Sequence, residues 1–318
     1  MRQILSLFFL FCLTIPAFAQ DEAEMQPITL YFVATVGNEM ASCSQTYTNI
    51  GLDEAQISFN DFRLYISNIL LITTDGDLVP LQLEQDGLWQ VEDVVLLDFE
   101  DGTAGCATTG NEALNGEIRG MAPVNDYVGV RFDVGIPFEL NHQDVTTAPS
   151  PLNIAAMFWS WQGGYKFIRI DLVTDATQNA AWNIHIGSTG CESPAAVIAP
   201  TALCARPNIT TISFDEFDFE NDVIAVDLAT LLANIALYEN TPMPPGCMSG
   251  IDDPDCPLIY QNLGLSLQDG VCPDQDCSSQ TFFHLADRED VILLERTDMM
   301  MPDESMDESS ENHHNHGG

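Results

Sequence analysis

The chain has 318 residues, 48 of them acidic and only 9 basic, for a formal net charge of −39 at neutral pH. Such a balance repels phosphate backbones and lacks any polybasic cluster, which excludes nucleic acid and an anionic membrane surface as partners. With 46% hydrophobic residues, the sequence still has the material for a large core.

Residues 1–20, MRQILSLFFLFCLTIPAFAQ, have the layout of a secretory signal. Arg2 gives the positive start, Ile4 to Ala17 the apolar stretch, and Ala17-Phe18-Ala19 the small-x-small cleavage site. The apolar run is too short and wrongly flanked for a membrane-spanning helix, and Cys12 lies in a poor lipobox. A periplasmic or secreted protein is expected, not embedded in a membrane. Loss of residues 1–19 leaves cysteines 43, 106, 191, 204, 247, 256, 272 and 277. An even set in an exported chain points to disulfides, and no spacing is CxxC. Sequence leaves the connectivity open; local pairing gives Cys191–Cys204, Cys247–Cys256 and Cys272–Cys277, with Cys43–Cys106 left over.

Most elements alternate with period two. DFRLYISNILLI (61–72) leads through a turn at Asp75-Gly76 into LVPLQLEQDGLWQV (78–91), which turns again at Asp86-Gly87. In YVGVRFDVGI, Val128, Val130, Phe132, Val134 and Ile136 share a face; KFIRIDLV, WNIHIG and TISFDEFDF add three more candidate strands. The expected fold class is all-β, mainly an antiparallel β-sandwich or barrel, with a few short helices and disulfide-stapled loops. Two helices are expected. Ser150 as N-cap, Pro151 at the first helical position and Gly163 past the end predict a helix over 151–162. Asp227 caps a second over 228–238, after a strand at 223–226. From 297 to 318 the sequence turns acidic and Met/His-rich, which predicts a disordered tail and a folded domain of residues 26–296.

Two features could carry chemistry. MFWSWQGGYKFIRID (157–171) holds Trp159 and Trp161, two of the four tryptophans, and Lys166, the only lysine. His142, in FELNHQD, and His185, in WNIHIGSTGC, are candidate ligands for copper or zinc. Alternation puts Asn183, His185 and Gly187 on one face of their strand and Trp182 on the other. The bland alternative is a pair of hydrogen-bonded structural histidines, with both indoles as core anchors. Met157, Met248 and the Met and His residues of the tail add soft donors. Carboxylates cluster in SGIDDPDC and QDGVCPDQDC, where Asp252, Asp253 and Asp255 could hold calcium, although neither segment fits an EF-hand. GCMSG places its serine wrongly for a nucleophile elbow, and neither a phosphate loop nor HExxH is present. No enzyme is expected. A disulfide-stapled structural or adhesive protein with calcium-binding loops is the rival reading.

The motifs FRLYISNILLI, LLDFEDGTAGC, GVRFDVGIPFELNHQD, APSPLNIAAMFWSWQGGYKFIRID, WNIHIGSTGC and GCMSGIDDPDCP…LGL together resemble the MbnP-like exported proteins, the four-Cys member of the metallo-mystery pair. The resemblance runs from about residue 33 to 267. It implies a periplasmic or extracellular copper-binding protein made alongside a di-haem, peroxidase-like partner that oxidises a tryptophan to kynurenine. It further implies a copper site with His142 and His185 as ligands and Trp159 or Trp161 as the oxidised residue. After Leu267 the chain departs from the family pattern, with an extra cysteine pair and His284, which reads best as a surface or strand histidine.

Overall fold

The structure of the protein, a computed structural model, describes residues 23–108, 112–174, 180–239 and 241–291. The expected secretory signal at residues 1–19 and the expected disordered tail from 297 lie outside the described residues. The principal strands of the first half are β1 (Met25–Val36), β2 (Ala55–Thr73), β3 (Val94–Asp98), β4 (Glu117–Pro123) and β5 (Tyr127–Val134). The second half adds β6 (Phe158–Ser160), β7 (Gly164–Tyr165), β8 (Ile168–Val173), β9 (Ala181–Ile186), β10 (Thr210–Phe214), β11 (Asp222–Asp227), β12 (Gly246–Cys247) and β13 (Phe283–Asp287). The helices are single turns or little more: α1 (Phe138–Asn141), α2 (Leu228–Leu231) and α3 (Cys256–Asn262).

Among the described residues these strands, with shorter ones at their edges, form a six-stranded and a ten-stranded sheet, and neither closes into a barrel. In the smaller sheet β1 pairs antiparallel with β4 and parallel with β11, and β13 lies beyond β11. The larger sheet runs β10-β5-β2-β8-β9-β12, with β3 also on β2. Their facing surfaces make the main core. Phe32 of β1 meets Phe132 of β5 at 5.6 Å between ring centroids, and Phe132 meets Phe283 at 5.7 Å. Burying rings such as these supplies the chief driving force for the sandwich.

The other face of the larger sheet is covered as well. Strand alternation sends Leu64, Ile168, Ile170, Ile184 and Ile186 into the main core. Tyr65, Leu96 and Phe167 go the opposite way, into a second cluster with Ile136, Leu140, Leu152, Met157 and Tyr165. This second layer is an irregular segment, residues 136–167, strapped across the sheet. The larger sheet is therefore buried on both faces over much of its length.

All four disulfides pair as proximity predicted: Cys43–Cys106, Cys191–Cys204, Cys247–Cys256 and Cys272–Cys277. The helix expected over 151–162 does not form. The carbonyls of Pro151 and Leu152 accept the hydroxyls of Tyr65 (2.9 Å) and Tyr165, so the segment is fastened crosswise to the second core. A short 3₁₀ turn, Ala155–Met157, leads into a β6–β7 hairpin in which Phe158 pairs with Tyr165 and Ser160 with Gly164. Gly164 has φ +74°, and a Cβ there would fall 2.4 Å from Asn141 Oδ1, so only glycine fits this corner. The second helix starts as expected, with the Asp227 carboxylate accepting the Ala229 amide at 2.9 Å, but stops at Leu231. Asn234 then takes φ +64°, and the Ile235 carbonyl accepts the Leu52 amide at 2.8 Å.

Candidate functional site

The site is built from three pieces of chain on the covered face of the larger sheet. The first is a charged patch on the sheet itself. Arg63, Arg169 and His185 stand in one row across β2, β8 and β9, with Asp98 of β3 opposite Arg63. Asp61 and Asp171 form the next row, also directly opposite one another. Strong ion pairs knit the rows. Asp61 is shared by Arg63 and by Arg169 (3.1 Å), and Asp171 is shared by Arg169 (2.6 Å) and His185 (2.5 Å). Burial pushes the Asp171 carboxyl up, but the His185 hydrogen bond and the nearby Arg169 outweigh it and hold the group at about 2.

Asp171 accepts from His185 Nε2, which leaves the lone pair of a neutral imidazole on Nδ1. A carboxylate behind an imidazole is the arrangement that orients histidine ligands in metal sites. Lys166 lies close by, its Nζ donating to the Ala156 carbonyl at 2.7 Å. Burial, and then Arg169, pull its pKa down to about 8.

The second piece is α1 and the residue that caps it. His142 is 6% exposed and packs edge-on against Phe138. Its Nδ1 donates to the Trp161 carbonyl at 3.1 Å, which fixes the proton on Nδ1 and the lone pair on Nε2. Burial lowers the His142 pKa below its ordinary value, with the Trp161 hydrogen bond opposing. Asn141 joins the pieces: its Oδ1 accepts the Tyr165 amide at 2.8 Å, and its Nδ2 reaches His142 Nε2 and Ser188 Oγ, each at 3.3 Å.

The third piece is the β6–β7 hairpin. Trp159 lies against Gly187, where a Cβ would come within 2.8 Å of its Cζ3. Gly187 follows His185 by two positions, so Trp159 sits on the histidine-bearing side of that chain. Trp159, Ser188, Gly190, Cys191 and Met248 line an open cleft of about 450 Å³. Trp161 does not line it; its contribution is the carbonyl held by His142. Trp182 faces the main core at 1% exposure, as alternation predicted.

Among the described residues, His142, Cys191 and Cys204 bring three metal-ligating atoms within 4.8 Å of one another. Sequence reasoning paired these cysteines without seeing that the bridge abuts His142, with Cys204 Sγ 3.6 Å from Nε2. It also missed Asp171 and Asn141. His185 lies outside that group, on the sheet. His284 is exposed on the edge strand β13, away from both.

The acidic loop after β12 is accounted for without a cation. Asp253 accepts the amides of Met248 and Asp255, and Asp255 accepts the Gly246 amide, each at 3.0 Å; Asp252 is exposed. For copper the donor chemistry fits better. Two imidazoles each have one nitrogen tied to an acceptor, and a thioether lines the neighbouring cleft. No helix among the described residues is long and apolar enough to cross a membrane.

Comparison with curated proteins finds no match. Among solved structures, MbnP from Methylosinus trichosporium is similar with a TM-score of 0.75 and 32% identity, over 83% of this chain and 99% of that one. The MbnP family model matches residues 25–249, a span that takes in His142, the hairpin tryptophans, His185 and two of the four disulfides. Fold and sequence span agree, and the chain belongs to the MbnP family.

Proposed function

We propose that the protein is an exported copper-binding protein whose site is completed by oxidation of Trp159 to kynurenine, carried out by a di-haem partner. Its role is copper acquisition, storage or delivery, with no substrate turned over by the chain itself. The observation that carries the choice of residue is the position of Trp159, lining an open cleft and packed on the chain that bears His185. An intact indole offers a metal only an N–H donor. Opening its five-membered ring leaves an aryl amine and a ketone, both with lone pairs. Copper, when bound, supplies a redox-active centre; the protein supplies His142 Nε2 and His185 Nδ1.

His142 and His185 are each held by their other nitrogen, through the Trp161 carbonyl and the Asp171 carboxylate. Each ring is thereby oriented with its other nitrogen turned away from its partner before metal arrives, which reduces the ordering cost of binding. The strongly acidic surface raises the local concentration of cations and offers a docking face for a basic partner.

The test is peptide mass spectrometry on protein from its native exported fraction. Trypsin cuts after Arg131 and Lys166, so one peptide carries His142, Trp159 and Trp161 together. Kynurenine at position 159 is the expected result. Intact indoles at both positions in copper-loaded protein would remove the oxidative step from the proposal. Copper binding unchanged in His142→Ala and His185→Ala would remove the site itself.

A further inference from the structure

The contact between His142 and the Cys191–Cys204 bridge points to a second use of this corner. Three ligand atoms of the soft-metal type, two sulfurs and an imidazole nitrogen, lie within 4.8 Å of one another. In the oxidised protein the sulfurs are spent on each other, and a disulfide sulfur is a poor donor. A thiolate is a strong one. His142 already presents its lone pair there, because the Trp161 carbonyl holds its proton on Nδ1.

The bridge also borders solvent at the cleft. Cys191 and Cys204 are each 8% exposed, Cys191 lines the open cleft, and the Cys247–Cys256 pair is fully buried. Between Cys191 and Cys204 the chain makes an exposed loop, with Val197 73% and Leu203 77% exposed, so opening the bridge releases a surface loop and leaves the core intact.

We propose that Cys191, Cys204 and His142 form a redox-gated site, closed as a disulfide and opened by a dithiol to a two-thiolate, one-imidazole site for a soft cation such as Cu(I). A thiolate of the dithiol attacks one bridge sulfur, the S–S bond breaks, and a mixed disulfide forms. The second thiol of the reagent then releases it. The dithiol is oxidised to its disulfide, and its two electrons and two protons pass to Cys191 and Cys204. Cation binding displaces the thiol protons. The site shares His142 Nε2 with the copper site proposed above but does not rest on it, since neither kynurenine nor His185 takes part.

The experiment uses the full-length exported protein without its maturation partner, treated with dithiothreitol and then freed of it without air. Cd(II) is the probe, because thiolate-to-cadmium charge transfer gives an ultraviolet band. The expected result is one Cd(II) per chain, which protects Cys191 and Cys204 from alkylation in peptide mapping. Cys191→Ser/Cys204→Ser should abolish the band, and Cys272→Ser/Cys277→Ser should keep it. His142→Gln should weaken binding by at least about tenfold, the lower end of what loss of a mere ligand-orienting partner costs.

A band that survives the Cys191/Cys204 double change, or reduction and protection mapping to another pair, overturns the proposal. So does equal affinity in His142→Gln. Should the double variant not fold, the protection map of the unaltered protein decides. His185→Ala separates the two sites: it should leave Cd(II) binding by the reduced protein unchanged. Its effect on copper binding by the oxidised protein tests the other proposal alone.

Discussion

Asp171 Oδ1 lies 2.5 Å from His185 Nε2 on the neighbouring strand, a diagonal cross-strand contact, since the register sets His185 opposite Arg169 and Asp171 opposite Asn183. The carboxylate thus decides which imidazole nitrogen carries the proton. Asp171→Asn keeps the shape but loses the charge. It should weaken copper binding about 10- to 100-fold, in line with losses from removing such partners. A competition titration with a Cu(I) chelator measures this, and equal affinity would show that His185 is not a ligand oriented in this way.

Gly187 is confined from two sides. A Cβ there would meet the Tyr165 carbonyl at 2.4 Å and Trp159 Cζ3 at 2.8 Å. Gly187→Ala should destabilise the fold by about 1–3 kcal/mol, the range for overpacking, and push Trp159 out of place. Urea unfolding reads the first effect. A red-shifted indole emission, lost in Trp159→Phe, reads the second.

The carboxylates near Arg63 outnumber their cations. Burial raises the Asp98 pKa to about 7 and, with Asp98 beside it, the Glu100 pKa to about 8. Both folded values lie above the unfolded ones, so their contribution to stability is full below about pH 4 and is lost as pH rises through 7 and 8. Asp171 acts in the opposite sense, losing its contribution only as pH falls from about 4 towards 2. Melting temperature should therefore rise on going from pH 8.5 to about 5.5. Asp98→Asn with Glu100→Gln should flatten that slope. An equal slope in the double variant would locate the titration elsewhere.

The four disulfides should differ in worth by the loops they close. Cys43–Cys106 spans 63 residues and Cys272–Cys277 spans 5. Chain-entropy arguments give about 4 and about 2 kcal/mol respectively. Paired Cys→Ala variants, compared by denaturant unfolding, should keep that order.

Much of this architecture is legible in the sequence. Alternation reveals the strands and the two faces of β9, and nearness along the chain reveals three disulfides, with the fourth as remainder. The hairpin at 158–165 is not legible, because Ser150-Pro151 and Gly163 imitate helix caps while the decisive partners, Tyr65 and Asn141, are remote. The charged row is misleading in another way. Asp61, Arg63, Arg169 and Asp171 look like the wet side of amphipathic strands. Only the strap of residues 136–167 turns that side into an interior, and nothing local announces the strap. His142 and His185 are visible as candidates, yet their orienting partners depend on register.

That strap also sets an order of events. Trp159 acquires its place only when Gly187 has arrived on the sheet, and His142 only when Trp161 has turned its carbonyl inward. A nascent or unfolded chain presents four tryptophans with nothing to distinguish them. The proposed oxidant, to select one of them, would have to read the finished surface, so the proposal requires folding first and oxidation second.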